Sequence, residues 1–220
     1  EPPQILCFSN YSWNFEISYK MAALAKAQYP GLVTVFGGPN YPTLADEKLA
    51  FLTQRTDIDF YVELEGELGF VDLVRFLDNT GFDADRLRKS QDAPLNTNYV
   101  WKRDLICGEI KRIRDLSQVP SPYLAGIMDE FFDLPLVPMI ETTRGCPFAC
   151  TFCADGLEIK NKVVRHSPER AANELEYIAR RVNKVDELII ADLNFAMYKE
   201  DLQTASAVRN IQESYGYPTL

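Results

Sequence analysis

The chain is short of positive charge and almost without histidine. Lys and Arg total 23 against 32 Asp and Glu, a formal charge of -9. That balance argues against a surface built to neutralise phosphates, and a nucleic-acid partner is disfavoured. Long apolar runs are missing too. The longest charge-free stretch, Ala27 to Ala45, carries Pro30, Gly31, Gly37, Gly38, Pro39 and Pro42, which excludes it as a transmembrane helix. No signal peptide opens the chain, because Glu1-Pro2-Pro3 leads only into a short apolar run, Ile5 to Phe8. There is no initiator Met and no internal repeat, so the sequence reads as a piece of a longer protein. Cysteine is scarce and odd in number, 5 in all. Three of them crowd between positions 146 and 153, which suits a metal site in a reducing compartment better than a disulfide framework. The expected location is the cytoplasm.

What is present suits a packed α/β protein. The chain has 220 residues, 46% hydrophobic and 25% charged, with 13 Phe, 11 Tyr and 2 Trp, which excludes a disordered or low-complexity chain. Over the first part, short apolar runs alternate with amphipathic segments, the pattern of a parallel sheet with helices. Strands are expected at Ile5 to Phe8, Leu32 to Phe36 and Asp59 to Val62. The first helix should bury Ile17, Met21, Leu24 and Gln28. A second is expected from Leu44 to Leu52, and a third with Phe70, Leu73, Val74 and Leu77 on its apolar face. Ligands of such sheets sit beyond the carboxyl ends of the strands, here Ser9 to Trp13, Gly37 to Tyr41 and Glu63 to Glu67.

Residues 96–135 read as a connector. It holds a possible hairpin, Tyr99 to Ile106 against Glu109 to Ile113 turning at Cys107-Gly108, and ends in a proline-rich stretch, Val119 to Tyr123, that favours an extended path. A second α/β pattern occupies 136–220. Strands are expected at Val137 to Ile140 and Glu187 to Ala191. Ser167-Pro168 supplies an N-cap and first-turn proline for a helix burying Ala171, Leu175, Ile178 and Val182, and a last helix runs from Glu200 to about Ser214.

The sharpest motif is Cys146-Pro147-Phe148-Ala149-Cys150-Thr151-Phe152-Cys153, directly after a predicted strand. Three thiolates on one tight loop can hold a [4Fe-4S] cluster and leave one iron open. A structural zinc would need a fourth ligand, for which only His166, Cys107 and Cys7 are candidates, none at finger-like spacing. A cluster that only carries electrons is a further alternative. The stretch from Glu141 to Cys153 resembles the signature of radical S-adenosylmethionine (SAM) enzymes, with Phe152 as the aromatic residue before the third cysteine. That resemblance implies a cluster held by Cys146, Cys150 and Cys153, with SAM on the open iron. One-electron reduction by a flavodoxin or ferredoxin would cleave SAM to a 5'-deoxyadenosyl radical, which takes hydrogen from a substrate the sequence does not reveal. Phe152 is implied as an adenine contact. Asp192 and Asn194, after the next strand, are implied as contacts to the methionine moiety; read from the residues alone, they equally suit a turn or helix cap.

Residues 1–95 resemble the later part of a cobalamin-binding domain, flavodoxin- or Rossmann-like, of the kind that precedes a radical SAM barrel. The matching residues are Phe8 to Asn14, Val35 to Pro42 and Glu63 to Glu67, together with the linker Asp115 to Leu124. The resemblance implies that Ser9, Gly37 and Gly38 flank the nucleotide tail of cobalamin, whereas the glycines alone also suit an ordinary strand-to-helix turn. The upstream Asp-x-His-x-x-Gly motif is absent from these residues. The fold class implied is α/β throughout: part of a cobalamin-binding domain, then the first β/α units of a partial TIM barrel, for cobalamin-associated methyl transfer or another C–H functionalisation. Such a piece is expected to hold the cluster loop yet be an incomplete catalyst, with apolar surface uncovered. Of the remaining candidates, His166 is expected to be solvated, Cys7 to pack as a small hydrophobe, and Cys107 to lie in a turn. Glu65 and Glu67 could face a ligand, or, for Glu67, serve the helix dipole.

Overall fold

The computed structural model describes residues 2–219. They form two compact units that divide between Ile113 and Arg114.

In the first unit, β1 (Ile5–Ser9), α1 (Phe15–Gln28), β2 (Val33–Gly37), α2 (Ala45–Thr53), β3 (Phe60–Val62) and α3 (Gly66–Asn79) are the three expected β-α repeats. They are followed by α4 (Ala84–Ser90), β4 (Thr97–Trp101) and β5 (Asp104–Cys107). The sheet order is β1-β2-β3-β4-β5. The first three strands run parallel, in register Ile5 to Val33 and Val35 to Phe60, and β4 and β5 add on antiparallel. Side chains alternate between faces along each strand, so Val33, Val35, Phe60 and Val62 meet Leu73, Leu77 and Leu87 on one face, while Phe36 and Tyr61 meet Phe15, Ala22 and Leu52 on the other. Asp59 fastens both layers. Its buried carboxylate accepts from Lys26 Nζ of α1 at 2.5 Å, Arg88 Nη2 of α4 at 2.5 Å and the Thr34 backbone N–H at 2.8 Å.

Three expectations for this unit are corrected. The hairpin is β4 against β5, Trp101 pairing with Asp104, so it turns at Lys102-Arg103 and Cys107 ends a strand instead of lying in the turn. Packing of α1 uses Phe15, Ser18 and Ala22, leaving Ile17 62% and Leu24 72% exposed; small residues let the helix backbone approach the sheet, and that outweighs the bulkier stripe. Cys7 is exposed, because it points to the face that α3 and α4 cover over β3 and β4, beyond their reach.

The second unit contains β6 (Met139–Ile140), β7 (Thr143–Arg144), β8 (Val164–Arg165), α5 (Pro168–Ala179), β9 (Ile189–Ile190) and α6 (Asp201–Tyr215). β6 and β9 pair in parallel with α5 between them in the chain, the opening units of a β/α barrel. Ser167 caps α5, its side chain accepting from the Arg170 N–H, and Leu175 and Ile178 are fully buried. The proline-rich stretch curls after Pro122 instead of staying extended, with Ala125 N–H donating to the Ser121 carbonyl and Ile127 N–H to that of Pro122. The cause is burial: Tyr123 and Phe132 insert into the core of this unit, and the Tyr123 hydroxyl accepts from Met139 N–H at 3.0 Å.

Candidate functional site

The cysteine loop grows out of β7 and returns through β8, whose pairing of Thr143 with Arg165 and Arg144 with Val164 closes its base. Inside that base the chain doubles back. Cys146 N–H donates to the Lys160 carbonyl at 3.0 Å, and Cys153 N–H to that of Cys150 at 3.1 Å. A Cβ at Gly156 would stand 2.3 Å from the Cys150 carbonyl oxygen, so this position requires the absence of a side chain. Lys160 Nζ, from a short 3-10 turn, reaches the Asp155 carboxylate at 2.9 Å and steadies the outer part of the loop.

All three loop thiols are unpaired; Cys146 is half-buried, Cys150 and Cys153 exposed. Two N–H groups are already aimed at sulfur. Asn194 Nδ2 donates to Cys146 Sγ at 3.1 Å and Asp155 N–H to Cys153 Sγ at 3.4 Å. Among the described residues no three His, Cys, Asp or Glu side chains are gathered to hold an ion, so the thiols share a loop without converging. The donor set fits an iron–sulfur cluster: three free thiols at close spacing, a loop folded back on itself, and N–H donors to sulfur. Metal–sulfur bonds complete the closure of such a loop, because binding and local folding are coupled. Phe152 stands 91% exposed at the tip.

Asp192 does something the sequence did not disclose. Its carboxylate accepts from the Thr142 N–H at 2.6 Å, the Thr143 N–H at 3.0 Å and the Thr142 hydroxyl. It therefore clamps the segment after β9 to the root of the cysteine loop, and in doing so presents Asn194 to Cys146. His166, expected to be solvated, is half-buried. Its backbone N–H donates to the Thr142 carbonyl, and burial, with the Arg170 charge next, holds its imidazole pKa below the usual value.

At the strand ends of the first unit, Asn10 is the organising side chain, a role the sequence reading of Ser9 to Trp13 did not give it. Fully buried, it donates from Nδ2 to the Asn40 carbonyl at 2.6 Å and the Tyr61 hydroxyl at 3.0 Å, and accepts from Asn40 Nδ2 at 3.0 Å. Gly38 has φ +128°, and a Cβ there would lie 2.6 Å from the Asn10 carbonyl oxygen, so its glycine is demanded by Asn10. A Cβ at Gly37 would lie 3.3 Å from the Val62 carbonyl oxygen. Ser9 is exposed, its hydroxyl accepting from Asn14 Nδ2 at 2.8 Å. Glu63 pairs with Lys48 at 2.6 Å. Glu65 is no ligand-facing group: buried, it binds Arg112 Nε at 2.7 Å and the Ile113 N–H at 2.8 Å, while Glu67 lies in the first turn of α3.

No protein-family model matches the chain. It is 32% identical over 225 residues to the cobalamin-dependent radical SAM methyltransferase TokK of Streptomyces tokunonensis, a match covering 98% of this chain and 31% of that protein. It is also 32% identical over 226 residues to the 2-(S-pantetheinyl)-carbapenam-3-carboxylate methyltransferase of Streptantibioticus cattleyicolor, covering 99% of this chain and 31% of that one. The chain thus spans about a third of the length of these curated relatives. Among solved structures, the cobalamin-dependent SAM radical enzyme OxsB, with aqua-cobalamin and SAM bound, matches with a TM-score of 0.63 at 19% identity, over 96% of this chain and 28% of that one. The radical SAM methyltransferase TsrM from Kitasatospora setae, with cobalamin and a [4Fe-4S] cluster bound, matches with a TM-score of 0.59 at 12% identity, over 100% of this chain and 43% of that one. At such identities the two structures speak for the fold alone. Taken with the cysteine loop and the α/β unit before it, the sequence matches place these 220 residues in the radical SAM superfamily, among its members that carry a cobalamin-binding domain ahead of the barrel.

Proposed function

We propose that the chain is the part of a cobalamin-dependent radical SAM enzyme that joins its cobalamin-binding domain to its cluster loop. The observation that carries this reading is the loop itself: three free thiols at Cys146, Cys150 and Cys153, with side-chain and backbone N–H groups directed at two of the sulfurs. When bound, a [4Fe-4S] cluster supplies the electron for reductive cleavage of SAM, and cobalamin supplies a methyl carrier.

The chain's own residues then have separable tasks. The three thiolates hold the iron, and Asp192 keeps the loop root fixed against the end of β9. Phe152 offers an exposed aromatic face at the loop tip for adenine, and Asn194 lies close enough to the first thiol to serve a ligand bound beside it. In the first unit, Ser9, Gly37 and Gly38 border the strand ends where the cobalamin tail would lie, with Asn10 shaping that edge. A flavodoxin or ferredoxin is the expected electron donor. Free thiols of this kind belong in the reducing cytoplasm; among the described residues no helix is long and apolar enough to cross a membrane.

Anaerobic reconstitution with iron and sulfide, followed by EPR of the reduced protein with and without SAM, tests the reading. A cluster signal that changes on adding SAM is expected. An unchanged signal would leave a plain electron carrier, and zinc without iron would establish a structural metal site. Uptake of cobalamin by the natural full-length protein, read from its visible absorption, tests the first unit, and no uptake defeats that half of the proposal.

A further inference from the structure

Asn194 reaches Cys146 from 48 residues further along the chain, its Nδ2 donating to the sulfur at 3.1 Å. A side-chain amide carries no charge at any working pH and offers N–H donors. The sulfur it meets is the least exposed of the three, Cys146 being half-buried where Cys150 and Cys153 are exposed. A dipole acts most strongly where water screens it least. The other N–H directed at sulfur, from Asp155 to Cys153, is longer at 3.4 Å and lies at an exposed site. The direction of Asn194 is fixed two residues upstream, where the Asp192 carboxylate is held by the Thr142 and Thr143 N–H groups.

We propose that Asn194 is a positioning residue that raises the reduction potential of the cluster through its N–H···S hydrogen bond to Cys146. The inference rests on the reading that this loop carries a [4Fe-4S] cluster. One electron from an external donor, a low-potential flavin or iron–sulfur protein, takes such a cluster from the 2+ to the 1+ state, and the added negative charge spreads onto the sulfurs. An N–H group aimed at one of them stabilises the reduced form more than the oxidised form. Replacing Asn194 by Ala removes the donor; replacing it by Asp keeps the shape, removes the donor and sets a negative charge beside the thiolate.

The test uses the natural full-length protein with its cluster rebuilt anaerobically, alongside Asn194→Ala, Asn194→Asp and, as a control, Leu193→Ala, whose side chain is exposed. Each is titrated with dithionite in the presence of mediators while the EPR signal of the reduced cluster is read. Midpoints more negative than wild type are expected for both Asn194 variants, with Asp the lower, and an unchanged midpoint for Leu193→Ala. Asn194 variants that hold a cluster at the wild-type midpoint overturn the proposal and leave the cluster reading standing. Wild-type protein that takes up no iron overturns the cluster reading, and this inference with it. Where the variants fail to load, wild-type protein grown with asparagine carrying 15N in its side-chain amide decides. A weak 15N hyperfine coupling to the reduced cluster, measured by pulsed EPR without SAM, is expected, and its absence overturns the proposal.

Discussion

His166 shows how a single side chain couples the cysteine-bearing unit to pH. Burial and the Arg170 charge hold its folded-state pKa down, whereas in the unfolded chain the imidazole titrates near its usual value of about 6.5. Above that pH the ring is neutral in both states and its contribution is complete. As pH falls, the unfolded state takes up the proton first, and stability is lost until the folded ring protonates as well. The expected result is that chemical denaturation between pH 7 and pH 5 shows a smaller acid-induced loss in His166→Gln than in wild type; equal losses would refute this role. At this scale the three cysteines were legible because their message is local: short spacing on one loop. Asn194 and Asp192 were legible as residues near a strand end, but not as partners of Cys146 and Thr142, since the pairing spans about 50 residues and depends on β6 lying beside β9. Asn10 was legible only as one of the strand-end residues Ser9 to Trp13, because a buried amide network is specified by strand order and not by composition.

Asp59 sits where three elements are joined, since its carboxylate holds β2 through the Thr34 N–H, α1 through Lys26 and α4 through Arg88. Its two cationic partners are themselves largely covered, with 20% and 17% of their side chains exposed, so removing the anion takes the carboxylate from Lys26 and leaves Arg88 with only the exposed Asp85 at 3.2 Å. Asp59→Ala is expected to destabilise the first unit by about 3 kcal/mol, the cost typical of breaking a buried pair from one side. The measurement is urea unfolding followed by circular dichroism, and a change below about 1 kcal/mol, the value typical of exposed pairs, would refute it. Strand and helix positions along the first three repeats were legible because apolar runs and breaks alternate cleanly. Hairpin register was not: Tyr99, Leu105 and Ile106 satisfy more than one pairing, and only the docking of β4 on β3 selects the turn at Lys102-Arg103. On α1, two stripes of helical spacing competed, and hydrophobicity favoured the one that packing left outside.

Across the whole chain, the acidic balance is the property with the broadest consequence. A formal charge of -9 opposes approach to a polyanion. A nonspecific DNA duplex is therefore expected to run unretarded in a gel at physiological salt with micromolar protein; a shifted band would show a basic patch that the charge total hides. The division between Ile113 and Arg114 falls later than the expected boundary near residue 95, because β4 and β5 complete the first sheet where a connector was expected. The clamp and the thiol contact also set an order of events during synthesis. Cys146 leaves the ribosome 48 residues ahead of the amide that meets it, an interval of roughly 2 to 10 s at ordinary elongation rates of about 5–20 residues per second. Through that interval the thiols travel on a nascent chain whose loop root has no Asp192 to hold it, so under the proposed cluster reading metal delivery would follow the translation of β9.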